Sequence, residues 1–247
     1  MPRAVAINVA ANTNLPGRRG PVYGDGSFVY VPIPEREPTR EPAATYADLG
    51  LGEYVPDDAV DLPVHRDPEF AGVHGAERYT YGDPNGVKAG PLSRLDPGDI
   101  LLFYATLSVR ADGDADAADW LPPEWGAFLI GAFEVAEAVT GDAYRRLAAE
   151  ERERFGSNAH LRRETFDAAV LVRGTDGSRL FDRAVPLSTP EAGVEANRLV
   201  TDLSNDSGAG PWWRRVLRYD ASATAQLRTY LDRDPSAWLE GGGAGAE

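Results

Sequence analysis

The fold is decided by residues 95–139. They open as LDPGDILLFYATLSVR (95–110), pass through a polar acidic tract, and return as WGAFLIGAFEVAEAV (125–139). A Pro97-Gly98-Asp99 turn launches a wholly apolar run, Ile100 to Leu107, and a second run, Ala127 to Val135, carries Gly131 inside it. Short continuous apolar runs bounded by turn residues read as buried strands. Two of them in succession predict adjacent buried strands with a projecting connection, Asp112 to Asp119 forming its solvated tip.

Strand signals lie on both sides of this pair. Ala4 to Val9 reads as an opening strand, and Asp25-Gly26 turns into a strand over Ser27 to Ile33 that Pro32 and Pro34 end or place at an edge. Residues 35–94 form a proline-punctuated, loop-rich excursion. Its aromatics (Tyr46, Tyr54, Phe70, Tyr79, Tyr81) favour an ordered, packed segment. Beyond the central pair, Asp142 can cap a helix running to about Phe155, ended by Gly156. The stretches Asp167–Gly174 and Arg179–Val185, joined by a Thr-Asp-Gly-Ser turn, carry a hairpin signal. Thr189-Pro190-Glu191 reads as a helix start, and Asp220 or Ser222 opens a last helix. No regular β-α-β alternation appears, so a doubly wound parallel sheet is disfavoured. The expectation is an α+β chain with a mostly antiparallel, barrel-like sheet and flanking helices. It forms a single domain over residues 1–240 and ends in a flexible tail, 241–247.

Composition narrows the chemistry. The chain has 39 acidic residues, 25 basic ones and a net charge of −14; Lys88 is its lone lysine. Such an acidic, arginine-rich composition resembles that of proteins from a high-salt cytoplasm, where carboxylates keep the surface hydrated and salt screens their repulsion. At molar salt the net charge therefore does not argue against a nucleic-acid partner. With no cysteine, disulfides, thiolate nucleophiles and sulfur-ligated metals are excluded. No apolar run reaches the ~20 residues of a membrane span, and the N-terminus lacks signal-peptide architecture, so the expected location is the cytosol.

Four loops carry candidate ligand groups. The first, after the opening strand, holds Asn14, Arg18 and Arg19; guanidinium forks suit phosphate and amides suit base edges. The second holds His65, Asp67 and, further on, His74 and Tyr81. A histidine near a carboxylate is an acid–base pair in prospect, although no standard metal-ligand spacing such as H-E-x-x-H occurs. The third, Asn158, His160, Arg162 and Arg163, suits an anion. The fourth sets Trp212 and Trp213 beside Arg214 and Arg215, a stacking surface next to phosphate clamps. Trp125 at the mouth of the central pair adds a possible pocket wall. Each loop also has a plain structural reading: turns, helix ends, and tryptophans in the core. Phosphate loops, dinucleotide fingerprints, serine-nucleophile elbows and the zinc-deaminase pattern are missing from the sequence, and no metal or cofactor is assigned.

Taken together, the stretch GRRGPVYGDGSFVYVPIP (17–34), His65 with Asp67 and Pro68, LDPGDILLFY (95–104) and the Gly131 strand resemble the third of the nucleotide-modification-associated domain families. The resemblance implies a setting of DNA-base modification or defence. Only Asn158 and His160 stand where such proteins carry a richer histidine set. The core from Gly98 to Val139 is also similar to PUA, ASCH and EVE barrels, which bind RNA or a flipped base in an aromatic pocket. Three functions follow as alternatives. In a nucleotide or nucleic-acid recognition module, the six loop arginines contact phosphate, Trp125, Trp212 or Trp213 stacks, and Asn14 reads an edge. In an enzyme acting on a nucleotide, His65, Asp67 and His160 supply acid–base groups. In a non-catalytic interaction subunit, the aromatics are all core.

Overall fold

A computed structural model describes residues 2–12, 15–84, 86–110 and 118–231. Asn14, most of the acidic tip and the 241–247 tail lie outside them. Among the described residues ten strands occur in chain order: β1 (Ala4–Asn8), β2 (Pro21–Val22), β3 (Ile33–Pro34), β4 (Val64–His65), β5 (Thr80–Asp83), β6 (Ile100–Val109), β7 (Trp125–Thr140), β8 (Val170–Gly174), β9 (Arg179–Pro186) and β10 (Leu217–Tyr219). Six α-helices accompany them: α1 (Gly86–Leu92), α2 (Gly141–Arg146), α3 (Ala149–Arg152), α4 (Ala159–Arg162), α5 (Arg198–Thr201) and α6 (Ala221–Leu231). The result is an α+β fold around one eight-stranded sheet, ordered β10-β1-β6-β7-β8-β5, with β2 also on β6 and β9 also on β7. The pairs β1–β6 and β2–β6 are parallel and the rest of this sheet is antiparallel. Among the described residues no pairing joins β10 to β5, so the closure a PUA-like barrel requires is not seen. Nor is any helix among them long and apolar enough to cross a membrane.

The central pair forms as its pattern dictates. Gly98 takes φ +89°, the left-handed conformation glycine tolerates best, and β6 begins two residues later at Ile100. Alternate β6 residues face two different cores. Leu101, Phe103, Ala105 and Leu107 join one, and Ile100, Leu102 and Tyr104 join the other. A strand buried on both faces has no polar side, which is why the run is apolar throughout. Opposite it, the β6–β7 register slips at Phe103/Tyr104, leaving Ile130 as the extra residue of a β-bulge beside Gly131. A Cβ on Gly131 would lie 2.6 Å from Phe70 Cε1, so this glycine is the space into which the excursion's Phe70 ring inserts.

Several local expectations are corrected. The turn at 175–178 exists, but β8 and β9 do not pair with each other. They lie end to end along the 16-residue β7, β8 on Val135–Thr140 and β9 on Phe128–Ala132. The helix expected over 142–155 breaks into α2, α3 and a 3₁₀ turn, because Leu147 and Ala148 are extended and Leu147 packs against the cluster of Phe155, Ala168 and Leu171. The segment 27–33 is irregular apart from a Val22–Phe28 bridge and the start of β3. The helix expected at Pro190 begins only at Arg198, where the Asn197 side chain accepts from Leu199 N. Asp220 does cap α6, accepting from Ala223 N at 2.9 Å.

Candidate active site

Three segments far apart in sequence meet beside β5. In the β3–β4 pair Ile33 faces His65, so Glu35, just past β3, comes alongside the imidazole. Asp67 follows two residues later, before a cis Asp67–Pro68 peptide. From the other side come Asn158, which caps α4, and His160 within that helix; Arg163 and Asp167 follow on the chain leaving it.

The geometry is that of two relays aimed at one carboxylate. His65 Nδ1 lies 2.6 Å from Glu35 Oε2, and His160 Nδ1 lies 2.7 Å from Asp167 Oδ1. The opposite ring nitrogens both face Asp67 Oδ2, His65 Nε2 at 3.9 Å and His160 Nε2 at 3.5 Å. The two rings meet edge to face at 4.9 Å. Asp67 is held in turn: Gly82 N donates to its two oxygens at 3.1 and 3.0 Å, and Asn158 Nδ2 donates to Oδ1 at 3.0 Å. The same Asn158 accepts from His160 N with its Oδ1, so one buried amide positions both the carboxylate and the histidine. Arg163 closes the arrangement by donating to Glu35 at 2.8 Å and pairing with Asp167.

His65, Asp67, Asn158 and His160 are all buried. Ionised groups persist there only when paired. Burial would raise the Glu35 carboxyl, but hydrogen bonds from His65 and Arg163 outweigh it and hold the group well below the ordinary range. Burial would lower His160, yet Asp67 and Asp167 on either side raise it. Asp167 is held low against its burial by His160 and Arg163. Glu69, buried beside Thr80, is pushed up by desolvation.

Arg163 also lines a cleft of about 370 Å³, shared with Asn12, Leu15, Pro34, Arg36 and Glu37. That volume lies within the usual range of small-ligand sites. Among the described residues, the ligand atoms of His65, Asp67 and His160 lie within 4.8 Å of one another, a spacing that can hold a metal ion.

A family model described as nucleotide modification associated domain 3 matches residues 3–229. The chain belongs to this family. Family membership implies involvement in a nucleotide-modification system. No curated protein and no solved structure matches the chain.

The remaining candidate residues of this family member are dispersed. Tyr81 points to the opposite face of β5, where its hydroxyl donates to Asp83 Oδ2 at 2.7 Å and lies 3.4 Å from Lys88 Nζ. Arg162 is exposed, its Nε donating to Ser157 O. Trp212 is fully buried in the second core, its Nε1 donating to Val194 O. Trp213 and Trp125, both half-buried, meet at 5.4 Å, and the Arg19 guanidinium lies 4.8 Å from the Trp125 ring. Arg18 closes a 3₁₀ turn, Arg214 is exposed, and Arg215 pairs with Asp206. His74 lies apart from the centre, with Nε2 on Tyr30 O. Sequence reasoning missed Glu35 and Asp167. These two carboxylates are lost among 39 acidic residues.

Proposed function

We propose that the protein is an enzyme of a nucleotide-modification system. It takes a nucleotide, or a base presented by a nucleic acid, into the cleft beside Arg163 and acts on it with the His65–Asp67–His160 centre. The observation that carries this reading is the pair of buried imidazoles with each Nδ1 on a carboxylate and each Nε2 turned to Asp67. A carboxylate at Nδ1 fixes tautomer and ring orientation and readies Nε2 for chemistry. In the cleft, the exposed Arg36 offers a guanidinium fork for phosphate, while Arg163, held by Glu35 and Asp167, joins the cleft wall to the centre.

A recognition role without chemistry is favoured by one observation, the Arg19–Trp125–Trp213 cluster, whose rings and guanidinium suit a single strand. One experiment separates the two. The protein is incubated in multimolar KCl with free nucleotides and with modified and unmodified oligonucleotides, and the products are read by mass spectrometry alongside binding. Enzymatic action gives a mass change that His160→Gln abolishes, and Arg36→Glu weakens binding at least about tenfold. Binding that Trp213→Ala removes, with every mass unchanged, is the recognition outcome. Absence of both binding and mass change refutes the proposal.

A further inference from the structure

We infer that His65, Asp67 and His160 bind one first-row divalent transition-metal ion, of the zinc or ferrous class. The inference deepens the functional reading above, since it concerns the same three side chains, but its test requires no substrate.

The donor atoms come first. With Glu35 and Asp167 accepting from the two Nδ1–H groups, the Nε2 atoms of His65 and His160 are left as lone-pair donors. A carboxylate on the far nitrogen is how metal-binding imidazoles are generally oriented and made more basic. Asp67 presents the third donor, Oδ2, while its Oδ1 is engaged by Asn158. Spacing agrees with this assignment. Bonds of about 2.0–2.1 Å in a tetrahedral shell set ligand atoms roughly 3.4 Å apart. The Nε2–Oδ2 separations of 3.5 and 3.9 Å exceed that by up to about half an ångström, and all three donor atoms lie within 4.8 Å of one another, so the two imidazoles would draw together on an ion.

Charge and donor type then select the ion. Glu35, Asp67 and Asp167 bring three carboxylates, and Arg163 one guanidinium. With neutral imidazoles the cluster carries two negative charges, which one divalent cation balances; Glu35 and Asp67 are buried, so solvent screens these two carboxylates little. Two nitrogens and one oxygen suit zinc or ferrous iron. Magnesium and calcium favour all-oxygen shells, and soft ions need sulfur that no part of this cluster supplies. Three protein ligands also leave room for at least one more, the open position that a catalytic zinc or a two-histidine, one-carboxylate iron site keeps.

The scaffold is fixed before any ion arrives. His65 ends β4, His160 lies in α4, and Asp67 is tied to both Gly82 of β5 and Asn158. Gly82 has to lack a side chain, because a Cβ there would stand 2.6 Å from His160 Cδ2.

The test titrates chelator-stripped, full-length protein in multimolar KCl, where the acidic surface holds ions weakly. Cobalt(II) serves as the spectroscopic probe, zinc and anaerobic ferrous iron as competitors, and magnesium as the control. One equivalent of cobalt should bring up visible d–d bands that zinc or ferrous iron erases and magnesium does not, and the competition ranks the two ions. His65→Ala and His160→Ala should each weaken binding at least about 100-fold, and Glu35→Gln about 10–100-fold. His74→Ala should leave it unchanged, with circular dichroism reporting the fold of each variant. A featureless titration of the unaltered protein overturns the inference, whatever the variants do. Equal binding by the unaltered protein and both histidine variants also overturns it, by placing the ion elsewhere. Nucleotide turnover without metal binding sinks this inference alone, whereas metal binding without any nucleotide interaction sinks the functional reading alone.

Discussion

Gly82→Ala is the sharpest probe of how the centre is built. The added methyl would lie 2.6 Å from His160 Cδ2, 2.9 Å from Asn158 Oδ1 and 3.2 Å from Leu171 Cδ2. Carbon atoms settle at about 3.5–4.0 Å, so the His160 ring must retreat by roughly 0.9 Å. The strand cannot yield in its place. Gly82 sits mid-ladder opposite Leu171 of β8, and its N–H is committed to Asp67. Overpacking of this kind costs about 1–3 kcal/mol. Displacing a positioned ligand by nearly an ångström should also cost about 10–100-fold in affinity for cobalt. Urea unfolding and cobalt titration of the same preparation read the two effects separately. Gly50→Ala is the control. Its Cβ meets nothing within 4 Å and only φ +69° opposes it, so a loss of about 1 kcal/mol with unchanged affinity is expected. If Gly82→Ala unfolds within about 0.5 kcal/mol of the unaltered protein and binds cobalt equally well, His160 is not packed on β5 and the account of the centre is wrong.

Other positions give independent checks. Trp212→Ala, which empties a fully buried site and removes the bond to Val194 O, should cost about 3–5 kcal/mol in urea unfolding. Trp213→Ala, from a half-buried position, should cost well under half as much, and equal losses would contradict the burial described. Asp99 accepts from Arg3 N, Arg3 Nε and Asp96 N; burial would raise its carboxyl, but these bonds hold it below the ordinary range. A depressed carboxyl adds stability that is fully present above its unfolded pKa, about 3.9, and is lost as pH falls through the lower folded value. The stability gap between the unaltered protein and Asp99→Asn should therefore be larger at about pH 6 than at about pH 3, and a constant gap refutes the pairing. Raising KCl from about 0.1 M to about 3 M should raise the melting temperature, since shortening the Debye length from about 10 Å to under 3 Å screens a net charge of −14. A falling melting temperature would show that the acidic surface is not adapted to salt.

What could be read from the sequence follows from which forces are local. The central strands were legible because burial on both faces removes polar residues from a whole run, and Gly98 marks where the run begins. The hairpin signal over β8 and β9 misleads for the opposite reason. Its turn is local and real, but β7 is long enough to offer each strand its own partner, and that length is a tertiary fact. Scarcity made the histidines legible: with only three in the chain, His65 and His160 could be singled out. Their carboxylate partners could not, because nothing local separates Glu35 or Asp167 from the other acidic residues until β3, β4 and α4 come together. The tandem tryptophans show the same limit, since adjacent side chains point apart and only docking decides which one enters the core.

The bulge in β7 ties the scaffold to the centre. Gly131 lies in the most predictable strand of the chain, yet its lack of a side chain serves a ring from the least regular segment, Phe70. That ring is packed edge to face against Phe103 of β6 and Phe133 of β7, and it lies three residues beyond Asp67. Seating Phe70 therefore fixes where Asp67 can be, and Gly82 and Asn158 then select its orientation. Burying a phenylalanine contributes about 1.5–3 kcal/mol, comparable to the cost of desolvating one imperfectly paired polar group of the centre. The apolar insertion thus offsets the polar assembly beside it. The long excursion is held to the sheet three residues from Asp67, the carboxylate on which both imidazoles converge.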